Sequence, residues 1–128
     1  MKRVAAFFVI SILFFCCKKD NQPSIVGGWK EIAVYREGAP GKFEWADPSG
    51  FPLWMTLTND GKYSAFNDVP AGHGTYQYNY STRQLNFENF SGSTETRSVS
   101  ILDDNYLVID LYINGTVQYK QKFLRIRD

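Results

Sequence analysis

The side chains best suited to chemistry in this 128-residue chain are few, and they form no familiar catalytic set. Cys16 and Cys17 are adjacent, and the single histidine, His73, lies between two glycines. A metal site or acid–base pair at His73 would need partners, and Asp68 is the nearest carboxylate in sequence. One histidine without a thiolate makes a weak metal site, so we interpret His73 as an ordinary turn residue. No Ser-His-Asp spacing, phosphate loop or paired-carboxylate motif stands out. We therefore expect no enzyme, no metal and no cofactor.

The two cysteines close an N-terminal segment with a distinctive pattern. Lys2 and Arg3 come first, and an apolar run follows from Val4 to Phe15, interrupted by a single serine. A basic start and a short apolar core are typical of a secretory signal peptide. The run is shorter than the ~18 residues that a membrane-spanning helix needs. The sequence therefore predicts export of the rest of the chain.

The position of the cysteines resembles the lipobox of bacterial lipoproteins, in which a cysteine becomes the lipidated first residue of the mature chain. Cys17 is the better candidate, because the small Cys16 precedes it whereas Cys16 follows a bulky phenylalanine. The resemblance implies a signal peptide over residues 1–16, a tether over 17–26 and one domain over 27–128. It also implies a lipid-anchored place in the bacterial cell envelope, most simply at the outer membrane, on its periplasmic or surface face. The alternative is a plain signal peptide with incidental cysteines.

Length, charge and cysteine content narrow the function of the mature chain. Cleavage before Cys17 would leave 112 residues, which suits a single domain. Loss of Lys2 and Arg3 leaves 12 basic against 13 acidic residues, so a charge of −1 gives no steering toward nucleic acid. Both cysteines lie at the cleavage site, so the folded part has no disulfide, thiol nucleophile or thiolate metal ligand.

The rest of the chain has the pattern of a β protein. Aromatic residues make up 16% of the chain, including eight tyrosines and ten phenylalanines, and these favour strands. No segment shows a convincing apolar repeat of period 3.6. Turn-forming residues instead divide the chain into eight strand-like runs, at about 28–36, 52–58, 62–67, 74–80, 84–89, 94–102, 106–112 and 116–126.

Two turn sequences, at residues 59–61 and 113–115, predict tight hairpins. The default for such turns is a two-residue loop, and the alternative is a three-residue loop that ends in a left-handed glycine with a bulge. In the first hairpin the longer loop sets Leu57 opposite Tyr63 and leaves the polar residues on the other face. We therefore predict the three-residue loop there.

The same choice decides the register of the second hairpin. A two-residue loop would place Leu111 and Ile109 opposite a glutamine and a lysine. A three-residue loop places Leu111 opposite Val117 and Ile109 opposite Tyr119, which separates a dry face from a wet one. We predict the three-residue loop here as well.

Eight antiparallel strands in sequence could form a sandwich or an up-and-down barrel, and the barrel leaves no open edge. The lengths of the connections favour the barrel, because short turns collect at one end and longer connections at the other, where only 113–115 is short. The short ones are 59–61, 80–83 and 103–105; the long ones are 37–51, 67–73 and 90–93. We therefore predict an all-β, eight-stranded barrel with one tight end and one open end.

Short motifs in this barrel resemble those of the lipocalins. Gly27-Gly28-Trp29 at the start of the first strand is similar to the Gly-x-Trp signature, and the hairpin around residues 58–63 is similar to that of small bacterial lipocalin-like lipoproteins. The resemblance implies that Trp29 plugs the closed end. It also implies that Arg125 or Arg127, from the end of the last strand, covers the ring of Trp29 with its cation.

In lipocalins the first long loop is a lid over the mouth of the barrel, which implies the same for residues 37–51. Trp45 and Phe43 would then fold inward over an apolar or amphipathic ligand; the alternative is that they cap the core. An eight-stranded barrel is just wide enough either to be filled by its own side chains or to hold one small ligand. Simple core packing is the other interpretation of each lining residue. The full candidate set is Tyr35, Phe43, Trp45, Leu53, Met55, Tyr76, Phe87 and Leu111.

Two other functions remain open at this point. A filled barrel could instead act through its outer surface, as a structural or inhibitor-like lipoprotein with an envelope protein as partner. Four aromatic residues expected to face outward support that alternative: Trp54, Phe66, Tyr106 and Tyr112. An enzyme would require carboxylates brought together across strands, which a sequence does not display.

Overall fold

The computed structural model of the protein describes residues 22–48, 50–67, 70–113 and 115–127. These ranges contain strands but no helix, and hence no helix long and apolar enough to cross a membrane. The predicted signal peptide and Cys17 lie outside the described residues. The strands are β1 (Gly27–Ala39), β2 (Lys42–Ala46), β3 (Trp54–Leu57), β4 (Lys62–Phe66), β5 (Pro70–Asn79), β6 (Gln84–Asn89), β7 (Thr94–Leu102), β8 (Tyr106–Ile113) and β9 (Thr116–Ile126).

Eight of these strands form a closed antiparallel barrel. β1 and β3 to β9 pair in chain order, and β9 pairs back with β1 from Gly28 opposite Ile126 to Tyr35 opposite Lys120. Closure pairs both edges of the sheet, so the barrel itself has no edge strand. The prediction of an all-β, eight-stranded, up-and-down barrel is confirmed.

The ninth strand, β2, lies within the segment predicted to be a long loop. Gly41 has a positive φ of 75° and ends a tight turn after β1, and β2 then pairs with the second half of β1, with Tyr35 opposite Trp45. Residues 42–45 alternate charged and aromatic side chains, which is the pattern of a strand with two different faces. The segment 37–51 is therefore largely a hairpin that extends from the barrel wall.

The register of the first hairpin is as predicted. Leu57 lies opposite Tyr63 and Met55 opposite Ala65. Gly61 has a φ of 79°, and its backbone N–H donates to the carbonyl of Thr58. This left-handed glycine closes the three-residue loop.

The predicted register of the second hairpin is wrong. Ile113 pairs with Thr116, and an extra residue on β9 then forms a β-bulge. The bulge places Leu111 opposite Tyr119 and Ile109 opposite Gln121, two residues further along β9 than predicted. A polar side chain, Gln121, thus shares the inner face with Ile109.

The closed half of the barrel is densely packed. Its largest fully buried side chains come from five different strands and have at most 1% of their surface exposed. Packing of this kind leaves no room for a ligand, and burial of each such side chain contributes roughly 1.5–3 kcal/mol. These side chains are Trp29, Leu57, Leu85, Leu107 and Phe123.

Residues 22–26, predicted as part of the tether, pack against this closed end. Ile25 is 2% exposed and belongs to the core, and its backbone N–H donates to the hydroxyl of Tyr80. The indole N–H of Trp29 donates to the carbonyl of Ile25 at 2.9 Å. The last residues before β1 are therefore part of the domain.

Candidate ligand-binding cavity

The open half of the barrel contains a cavity of about 250 Å³. Its lining combines apolar side chains with charged and amide groups. The apolar lining is Leu53, Met55, Tyr63, Ala65, Ala71, Phe87, Ile109 and Phe123, and the polar side chains are Glu95, Arg97 and Gln121.

Small residues on neighbouring strands create this space. Ala65 on β4 lies opposite Gly72 on β5, and both border the cavity. Tyr63 packs edge-to-face on Phe87, with ring centroids 4.9 Å apart. Burial raises the pKa of the Tyr63 hydroxyl, and the carboxylate of Glu95 adds to the increase. The tyrosine thus stays protonated and can donate a hydrogen bond at the cavity wall.

A chain of polar contacts crosses the interior at the same level. The guanidinium of Arg97 lies 2.6 Å from a carboxylate oxygen of Glu95, and its Nη1 donates to Oε1 of Gln121 at 3.2 Å. Nε2 of Gln121 donates to Oε2 of Glu31 at 2.6 Å. Arg97 on β7 and Gln121 on β9 are separated by β8, so their contact runs through the lumen rather than along the sheet.

The positive and negative charges along these polar contacts do not fully cancel. Arg97 is paired with Glu95, whereas Glu31 is 7% exposed and has an uncharged amide as its donor. Tyr119 borders the same region: burial raises the pKa of its hydroxyl, Glu31 adds to the increase, and Arg36 and Arg97 oppose it. The lumen therefore offers charged and uncharged hydrogen-bonding groups close to an apolar surface.

The predicted ligand-binding residues separate into three places. Leu53, Met55 and Phe87 line the cavity. Tyr76 lies in the packed core, where its hydroxyl donates to the carbonyl of Thr58 at 2.7 Å. Leu111 is half-buried opposite Tyr119 and is outside the cavity lining.

The remaining three, Tyr35, Phe43 and Trp45, form a cluster on the β1–β2 hairpin. The Tyr35 ring lies 5.8 Å from that of Phe43 and 5.4 Å from that of Trp45. Val34 is buried and faces the lumen, so its neighbour Tyr35 faces outward, where Lys120 lies 5.9 Å from its ring. Phe43 and Trp45 are 37% and 47% exposed. The hairpin places these rings on the outer surface and not across the mouth.

The closed end has the arrangement that the lipocalin resemblance implies. The guanidinium carbon of Arg125 lies 4.2 Å from the centroid of the Trp29 ring. Gly27 has a φ of 144°, which side chains rarely adopt, and a Cβ there would lie 2.9 Å from the Arg125 guanidinium, so another residue would be strained and would displace that guanidinium. Arg127 instead donates to the carbonyl of Asp104 and the side chain of Asn105.

Within the described residues, the groups that could act in catalysis have other partners. His73 stacks on Phe90, with ring centroids 4.9 Å apart, and Asp68 lies outside the described residues. Asp110, on the outer side of β8, is only 5% exposed; its carboxylate accepts from the hydroxyl of Ser100 at 3.0 Å and lies 3.8 Å from the ammonium of Lys120. No cluster of three potential metal ligands occurs within residues 22–48, 50–67, 70–113 and 115–127.

Four polar residues of the lumen were not predicted from the sequence: Glu31, Glu95, Arg97 and Gln121. Each occupies an inward position of a strand. A charged or amide residue is nevertheless interpreted as a surface residue when its partners across the lumen are unknown. The one available signal is their position in the strand. Residues two apart point to the same face, and Glu31 is two residues from Trp29 while Gln121 is two from Phe123.

No known protein family matches this chain in a scan of family models, and no curated protein matches it.

Proposed function

We propose that the chain is a lipid-anchored envelope protein whose lipocalin-like barrel binds one small apolar or amphipathic molecule at its open end. The observation that carries the proposal is the cavity of about 250 Å³ above a fully packed core. Pockets for drug-sized ligands begin at ~300 Å³. The ligand is therefore small, or it fills the cavity with one end and extends through the mouth with the other.

The lining favours an amphipathic ligand. Met55, Ile109 and Phe123 offer an apolar surface, and transfer of an apolar group onto it contributes roughly 25 cal/mol per Å² removed from water. Arg97 and Gln121 stand beside that surface with hydrogen-bonding groups. A polar head group would join the existing chain of contacts without leaving a buried donor or acceptor unpaired.

The anchor is supported by the sequence and by the start of the domain. Ile25 is already buried at the closed end, so Cys17 is eight residues from a fixed point of the fold. A lipid at Cys17 would hold the barrel close to its membrane. Replacement of Cys17 with serine should release the protein from the membrane fraction, and metabolic labelling with a fatty acid should mark the wild type only.

The ligand hypothesis is tested by native mass spectrometry of the protein purified from its own host. The expected result is a bound small molecule that is lost in Ala65→Phe, because Ala65 lines the cavity. The matched control is Ser64→Phe, whose side chain is exposed on the outer face of the same strand. Thermal unfolding of both variants checks that the barrel is intact. A repeatedly bare wild-type monomer would instead support a barrel that acts through its surface.

A further inference from the structure

The two sides of the barrel differ sharply in chemistry on their outer faces. The wall of β5, β6 and β7 presents polar groups in rows that run across the strands. One row is Thr75, Glu88 and Thr94, and the next is Gln77, Asn86 and Thr96. This side has the composition expected of a surface in contact with water.

The opposite side presents apolar side chains interleaved with lysines. Met55, Trp29 and Phe123 are buried in the lumen, so the residues next to them in β3, β1 and β9 face outward. Pairing across the strands places Phe66, Trp54, Lys30 and Leu124 side by side in that order. We call this surface the lysine–aromatic wall, and it consists of Lys30, Trp54, Phe66, Lys122, Leu124 and Ile126.

The apolar members of the lysine–aromatic wall are exposed. Trp54, Phe66, Leu124 and Ile126 have 40%, 48%, 39% and 41% of their surface accessible. Gly28 lies between Ile126 and Thr56 in the neighbouring row, so no large side chain interrupts the surface there. Contiguous exposed apolar groups of this kind mark an interaction surface.

The charge of the wall is positive. The ammonium of Lys30 lies 4.9 Å from the ring centroid of Trp54, and that of Lys122 lies 4.5 Å from that of Tyr106. The ion pairs in the described part of the chain use other cations, namely Lys62, Arg97 and Lys120. Outward positions of β3 and β9 carry no carboxylate. An anionic partner is therefore the complementary one.

We propose that the lysine–aromatic wall rests on the anionic head groups of the membrane that holds the lipid anchor. Tryptophan and phenylalanine insert at the boundary between head groups and acyl chains, and lysines bind the phosphates above it. The proposal rests on the proposed anchoring, which keeps the barrel beside the bilayer. A protein partner would be expected to offer carboxylates to the same lysines.

The length of chain before the domain allows this orientation. Gln22 lies beside Tyr80 and Arg83 at the closed end, toward the polar side of the barrel. The five residues from Cys17 to Gln22 can extend ~17 Å, so Cys17 can lie below the closed end on the side of the lysine–aromatic wall. The lysine–aromatic wall can therefore reach the bilayer while the anchor stays inserted.

The test uses the full chain carrying Trp45→Phe in vesicles of phosphatidylcholine and phosphatidylglycerol with brominated acyl chains. Trp29 is fully buried, so Trp54 is the indole that bromine can reach. The expected result is quenching of Trp54 that weakens at high salt, because added ions screen the head groups. Lys30→Gln with Lys122→Gln should lower the wall-bound population by roughly fivefold per lysine.

The matched control is Gln77→Glu with Thr96→Glu, which changes the net charge by the same amount on the polar side. Its quenching should equal that of the parent. Flotation of the same vesicles reports the anchor separately. A chain that floats while Trp54 remains unquenched overturns the wall proposal and leaves the anchor intact. A chain that neither floats nor is quenched overturns both, and cross-linking of a protein from position 54 would assign the wall to a protein partner.

Discussion

Arg125 closes the barrel against Trp29, with 4.2 Å between the guanidinium carbon and the centroid of the indole. The same guanidinium donates to the carbonyls of Ser24, Val26 and Asp104. The indole N–H in turn donates to the carbonyl of Ile25. One side chain of the last strand thus fixes the segment before the first strand, the ring that plugs the core and the turn before β8.

Replacement of Arg125 with alanine should destabilise the fold by about 2–4 kcal/mol. The change removes a cation–π contact of roughly 0.5–2 kcal/mol and hydrogen bonds from a charged group to three carbonyls. Arg125→Lys should recover little of the lost stability, because an ammonium is not planar and cannot stack on the ring while it donates to three carbonyls. Urea unfolding measures both variants. Arg127→Ala is the control, with an expected loss below ~1 kcal/mol, and equal losses at the two positions would contradict this account.

Replacement by alanine should destabilise the fold at one glycine of β5 and be tolerated at another. A Cβ at Gly74 would lie 2.0 Å from the carbonyl oxygen of Glu88, so Gly74→Ala must push β5 and β6 apart. We expect a loss of about 3 kcal/mol or more, or failure to fold. At Gly72 the nearest atoms belong to the Tyr63 ring at 3.9 Å, which is ordinary contact, so Gly72→Ala should be tolerated. Thermal unfolding compares the pair, and similar melting temperatures would show that the strands separate easily.

The barrel could be predicted because its strands and turns carry local signals. Leu57 and Tyr63 flank a turn whose glycine takes a left-handed φ, so alternation and turn chemistry agree on one register. The second hairpin failed for a physical reason. We assumed a dry lumen and rejected a register that put Ile109 beside a polar residue, but the lumen holds Gln121 as the partner of Glu31. A tight turn followed by a β-bulge and a three-residue loop also produce a similar alternation of apolar and polar residues.

The candidate site was predictable only in its apolar half. The inward position of Leu53, Met55 and Phe87 follows from the alternation of side chains along their strands. Arg97 and Glu31 could not be assigned to the lumen, because the contacts that compensate their burial come from strands far apart in sequence. Trp45 was interpreted as a lid residue because the lipocalin resemblance makes residues 37–51 a lid loop, whereas the alternation over 42–45 extends the sheet instead.

Alkaline pH should unfold the barrel through its buried tyrosines. Burial raises the pKa of Tyr76 and of Tyr78, above the value near 10 of a free tyrosine. The folded state holds these protons more tightly than the unfolded state. Their contribution to stability is therefore complete below pH ~10 and is lost as the pH rises toward the folded values. Absorbance titration should show tyrosines that ionise late, and Tyr76→Phe should reduce the slope of stability against pH above ~10. An unchanged slope in that variant would contradict the assignment.

Gln121→Glu tests the polar chain of the lumen. The substitution replaces the amide that donates to Glu31 at 2.6 Å with a second carboxylate, so two like charges meet in a buried place. We expect a loss of about 2–3 kcal/mol at neutral pH. One carboxyl of such a pair takes a raised pKa and shares its proton with the other, so the loss should shrink as the pH falls.

The double variant Glu31→Gln with Gln121→Glu separates this repulsion from a simple change of shape. It restores one carboxylate and one amide in exchanged positions, so the repulsion is removed, while Arg97, whose Nη1 now donates to Gln121, faces the carboxylate at position 121 in both variants. The double variant should therefore be more stable than Gln121→Glu alone, which gives a coupling energy of opposite sign to the single losses. Urea unfolding of the four proteins at neutral and acidic pH measures that coupling. Additive losses with no dependence on pH would show that Glu31 and Gln121 do not interact through the lumen.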